Sequence, residues 1–101
     1  MPKQGASGGC RVTGKILGVD GSPLAGAIVT VRSERGGVWE GAVYSRLSTR
    51  VTVGKQGELD VLLPPSSAVG EYMISFSNST YRVWVPDSAV ADLAELIKRG
   101  A

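Results

Sequence analysis

Apolar and polar residues alternate with a period of two through most of the chain, and the rhythm changes only near its C-terminal end. In CRVTGKIL, residues 10–17, Val12, Gly14 and Ile16 share one side while Arg11, Thr13 and Lys15 share the other, the pattern of a half-buried strand. AIVTVRS, residues 27–33, repeats it with Ala27, Val29 and Val31 on one face, and its β-branched side chains favour extended backbone. VWEGAVYSRL, residues 38–47, predicts a third strand with a bulge near Gly41. TRVTV (49–53), ELDVLL (58–63), GEYMISFS (70–77) and YRVWV (81–85) predict four more, with Leu59, Val61 and Leu63 facing the core. Asp20-Gly21 with Pro23, Gly36-Gly37, GKQG at 54–57, Pro64-Pro65 and NST at 78–80 supply the turns. Short strands broken by turn signals at roughly ten-residue spacing predict an all-β fold, a seven-stranded antiparallel β-sandwich over residues 10–86.

VPDSAVADLAELIKRG, residues 85–100, departs from that rhythm. Pro86 ends the strand, Asp87 or Ser88 can accept from the free amides of a first helical turn, and Gly100 suits a terminator. Val90, Leu93, Ala94 and Ile97 recur at helical spacing with Leu96 beside them, and acids precede bases as the helix dipole prefers. The spacing predicts one short C-terminal α-helix of about three turns within residues 87–101. So short a helix is marginal alone in water, and its oily stripe must dock on its own sandwich or on a neighbouring subunit.

Composition narrows the chemistry. Eleven basic residues are scattered among nine acids for a net charge of +2, too weak a field to hold a polyanion, so nucleic acid is not an expected partner. The chain has no histidine, which weighs against hydrolase, catalytic-triad and zinc readings. Cys10 is the single cysteine and has no partner for an internal disulfide; no charged-then-apolar leader opens the sequence, and no membrane span is expected. Residues 1–9, MPKQGASGG, lack apolar periodicity and read as a free arm.

Gly14-Lys15 and Gly54-Lys55 lack the spacing of a phosphate loop, and Asn78-Ser79-Thr80 reads as a polar turn rather than a glycan acceptor. Glu58 and Asp60 share a strand face that solvation explains. No catalytic, metal or cofactor-binding residue is assigned, and the chain is not expected to be an enzyme.

Interfaces are the remaining candidates. Trp39, Tyr44 and Trp84 are large amphipathic rings at strand positions, and Leu93, Leu96 and Ile97 form the helix stripe. Arg32, Arg35, Arg46, Arg50 and Arg82 can gather on one side as a solvated or subunit-contacting surface. A second reading makes Trp39, Tyr44, Tyr81 and Trp84 an exposed aromatic platform for a carbohydrate or peptide.

GKILGVDGSPLAGAIVTVRS, residues 14–33, resembles the opening of carboxypeptidase-regulatory-like (transthyretin-like) β-sandwich domains through Gly14, Asp20, Gly21, Pro23, Leu24, Gly26, Ala27, Val29 and Val31. TVGKQGELDVLLPP and GEY look like the same family's second hairpin and following strand, through Thr52, Gly57, Leu59, Pro64, Pro65, Gly70 and Tyr72. The terminal VWVPDSAVADLAELI, residues 83–97, on such a domain resembles small domains encoded among tailed-phage structural genes, including the amino-terminal domain of prophage side tail fibres. The segment 34–48 matches no motif of either kind. The resemblance implies a homo-oligomeric virion component, assembled in the host cytoplasm, that attaches to tail, collar or capsid proteins without catalysis or cofactor.

Overall fold

In the computed structural model residues 9–46 and 48–100 are described. The expected N-terminal arm, Gly9 apart, lies outside the described residues, as does Ala101. Among the described residues the chain is mostly strand, arranged in three sheets, with a short C-terminal helix. One sheet runs in the order β6 (Glu58–Leu63), β1 (Cys10–Lys15), β9 (Val90–Asp92). A second runs β5 (Ser48–Thr52), β2 (Ile28–Ser33), β7 (Tyr72–Phe76), β8 (Ser79–Val83). A two-stranded ribbon pairs β3 (Gly37–Trp39) with β4 (Ala42–Tyr44).

The predicted alternation sets the inward faces. Val12, Ile16, Leu59 and Leu63 from the first sheet and Val29, Val31, Tyr72, Ile74 and Val83 from the second form one buried cluster. Arg11, Asp60 and Leu62 point out, and the Arg11 guanidinium donates to the Asp60 carboxylate across the β1–β6 pair, holding that carboxyl below its ordinary pKa. Tyr72 is wholly buried, yet its hydroxyl donates to the Pro64 carbonyl at 2.7 Å, so a large ring enters the core without an unpaired polar atom.

Three expectations are corrected. The described residues hold nine strands, not seven. The segment expected as one bulged strand at 38–47 is a hairpin: Glu40 and Gly41 have φ of 50° and 78°, the pair of left-handed conformations that closes a two-residue turn with the twist of its flanking strands. Residues 90–92, expected in the helix, instead form β9 and pair parallel to β1, so the fold is not purely antiparallel. The open edge of β1 explains this, because the Arg11 N–H donates to the Ala89 carbonyl at 2.8 Å and an edge left bare invites any extended segment.

The helix α2 (Leu93–Gly100) accordingly starts later and is shorter than three turns. Asp92, not Asp87 or Ser88, sits at its start and accepts from the Glu95 N–H at 3.2 Å. Val90, expected in the buried stripe, is exposed, whereas Leu93 and Leu96 are buried within the chain. A second short helix, α1 (Ser66–Val69), was not legible as one. It is clamped to the end of the second sheet: the Ser66 N–H donates to the Val85 carbonyl and the Val85 N–H donates to Ser66 Oγ, each at 2.8 Å.

The docking of α2 depends on Gly14. A Cβ on Gly14 would lie 2.9 Å from the Leu93 Cβ, so the bare position between Val12 and Ile16 is the notch that Leu93 fills. Gly14→Val is expected to destabilise the domain by roughly 1–3 kcal/mol through overpacking, measured by denaturant unfolding.

Tyr72→Phe should cost about 1–2 kcal/mol at neutral pH, since the Pro64 carbonyl loses its buried donor. Burial pushes the Tyr72 phenol well above its ordinary value of 10.0, so the folded state favours the protonated ring. The stability it contributes is complete below that value and is lost as pH rises from there towards the folded pKa. Wild-type stability should therefore fall above pH 10.0 more steeply than that of Tyr72→Phe, a difference read from unfolding curves between pH 8 and about 11.

Candidate docking surfaces

The outer face of the four-stranded sheet follows from its register. One row across the strands is Ser48, Arg32, Met73 and Arg82; the next is Arg50, Thr30, Ser75 and Thr80. Because Val29, Val31, Tyr72, Ile74 and Val83 face inward, these alternate residues face away from the core. Arg82 pairs with Glu71 at 3.6 Å, an exposed contact of little energetic weight, while Arg32 and Arg50 have no ion pair among the described residues. The Ser75 and Thr80 hydroxyls bond to each other at 3.1 Å. Trp84 emerges just past β8, opposite the buried Val83 and Val85, and is 56 % exposed. Ile28 is also half exposed.

Of the five arginines considered together in the sequence, Arg32, Arg50 and Arg82 share this face. Arg46 donates to the Ser33 carbonyl at 3.4 Å and Arg35 lies 4.0 Å from Glu34, both on the segments that lead into and out of the ribbon.

The ribbon carries two of the aromatic candidates. The Trp39 and Tyr44 rings lie 6.5 Å apart, tilted by 50°, and Tyr44 packs against the core. The ribbon sits tightly on α1, where a Cβ on Gly37 would fall on the Ala68 carbonyl. On the other side of the ribbon Val38 and Val43 are register partners, 67 % and 84 % exposed. A small cavity opens beside the ribbon turn, between Trp39 and Glu40 on one side and the loop Pro86 to Ala89 on the other. Cys10 also lines it; burial pushes that thiol above its ordinary pKa, with the Ser88 hydroxyl acting in the opposite direction.

At the helix, Leu93 and Leu96 belong to the chain's own core, while half-buried Ile97 lines an open apolar groove with Leu17, Phe76 and Tyr81. The Phe76 and Tyr81 ring centroids are 5.5 Å apart there. The four aromatics considered as a platform do not come together: Tyr81 and Trp84 stand on opposite faces of their strand, and Trp39 rings only with Tyr44 among the described residues. Sequence reasoning missed the cavity, because its walls come from the ribbon turn, the Pro65 segment and the loop after β8. The described residues hold no group of three or more acidic, cysteine or histidine side chains suited to a metal ion.

Buried and exposed candidates should separate cleanly in unfolding experiments. Leu96→Ala is expected to cost roughly 2–5 kcal/mol, and Trp84→Ala no more than about 0.5 kcal/mol. Cys10 should resist a thiol reagent in the native protein and react at the rate of a free thiol once denaturant unfolds it. No protein-family model matches the chain, and no curated protein matches it.

Proposed function

We propose that the chain is a structural accessory subunit of a tailed-phage particle, an Ig-like or transthyretin-like β-sandwich that acts by docking to other virion proteins and to copies of itself. The observation that carries this reading is the outer face of the four-stranded sheet, where exposed Trp84 and Ile28 stand among Arg32, Arg50 and Arg82. Tryptophan and arginine are the side chains that most often anchor protein interfaces, since each combines a large apolar area with a polar handle. An open sheet face of this kind offers a broad surface rather than an enclosed pocket, which suits a partner protein better than a small substrate. The similarity of residues 83–97 to tailed-phage structural domains supplies the particle context.

In this reading the subunit is assembled in the host cytoplasm and carried in the virion, with specificity set by the sheet face and the ribbon valines. The aromatic-platform alternative has less support, because Tyr81 and Trp84 lie on opposite faces.

Purified particles examined by quantitative mass spectrometry test the proposal. The chain should be present at a fixed copy number, and Trp84→Ala combined with Arg32→Glu should lower incorporation at least tenfold while the purified domain still melts as a folded protein. Absence of the chain from particles would overturn the virion reading. Full incorporation of the double variant would overturn the assignment of the sheet face.

A further inference from the structure

We propose that the cavity beside the ribbon turn receives a single cationic side chain, an arginine guanidinium or lysine ammonium, presented by a partner protein. Its volume is about 190 Å³, below the roughly 300–1,000 Å³ typical of small-molecule sites and suited to the end of one long side chain. Trp39, Glu40, Asp87 and Ser88 supply its chemistry, with Pro65 and Pro86 as stiff walls; among the described residues no lysine or arginine lines it.

The charge balance of the lining is what selects a cation. Glu40 and Asp87 have no ion pair among the described residues, although the chain carries eleven basic groups to nine acidic ones. Both acidic residues line one cavity, and a guanidinium or ammonium placed there can donate charge-assisted hydrogen bonds to their carboxylates. The tryptophan ring adds a face that attracts cations and excludes water from the apolar stem of the same side chain.

The parts are held in place before any ligand arrives. Asp87 Oδ2 accepts from the Ser67 hydroxyl at 3.3 Å, which ties the loop after β8 to α1, and the Trp39 ring is braced by Tyr44. Glu40 also occupies a left-handed turn position, φ 50°, where asparagine or glycine is the easier choice, so the turn keeps a carboxylate there at some conformational cost. The site is separate from the sheet face invoked above and stands or falls independently of particle incorporation.

The test uses the ¹⁵N-labelled chain and three probes: N-acetyl-arginine-methylamide, its uncharged citrulline counterpart, and the free diamine putrescine. The arginine probe should give saturable shifts confined to the Trp39 indole N–H, residues 40–42 and residues 87–89, weakened at least fivefold by 0.5 M salt. The Glu40→Gln, Asp87→Asn double variant, if its melting matches wild type, should bind the probe at least tenfold more weakly. Should that variant unfold, Trp39→Leu with the same titration serves in its place, with the same tenfold loss expected. Equal response to the citrulline probe, shifts located elsewhere, or undiminished binding by a folded variant would overturn the proposal. Tighter binding of putrescine than of the arginine probe would overturn the assignment to a protein side chain.

Discussion

Where β1 passes beneath the C-terminal helix, Gly14 has no side chain and Leu93 occupies the space it leaves. That contact decides the fate of the last part of the chain. Val90 to Asp92 lie alongside β1 as its parallel neighbour, Asp92 caps the helix, and Leu93 and Leu96 then drop into the core shared by the two larger sheets. A helix of eight residues has little stability of its own, so its order is borrowed from this burial. The same segment closes the edge of β1 that would otherwise offer unpaired backbone groups to another chain.

With the helix stripe consumed internally, the surfaces left for partners are those that the fold exposes without needing them. The sheet's outer face carries three arginines and a tryptophan that contribute little to the core. The ribbon holds its tryptophan and tyrosine toward the body of the domain and its two valines toward solvent. The loop after β8 has two tasks, linking through Asp87 and Ser67 to α1 and walling the end cavity. Function in such a molecule is a matter of which exposed groups are placed side by side, and sheet register does that placing.

The period-two pattern located most strands and their inward residues correctly, because alternation reports directly on which side of a sheet is buried. Val12, Ile16, Leu59, Leu63, Val29, Val31, Tyr72 and Ile74 are all buried as the pattern requires. It failed where local sequence admits two structures. Glu40-Gly41 reads as a bulge or as a tight turn, and only the pairing of Val38 with Val43 decides between them. Val90 matches the helical stripe as well as a strand, and the vacant edge of β1, formed by residues 79 positions earlier, decides that. Ser66 gave no signal because its value lies in bonds to Val85, which no local window contains. Trp84 was legible as lying on the face opposite Val83 and Val85, but that this face is the outer one follows only from the burial of those valines in the fold; the acidic cavity was not legible, since Glu40 and Asp87 are far apart in sequence.

Native-state amide hydrogen exchange on the dilute, monomeric chain tests most directly whether the C-terminal segment belongs to its own domain. Closure in cis predicts that the Arg11 amide, bonded to Ala89, and the later amides of α2 exchange with protection comparable to the β1–β6 pair. Exchange of those amides at the rate of an unstructured peptide, with β1–β6 still protected, would contradict the account and show that the helix waits for another subunit.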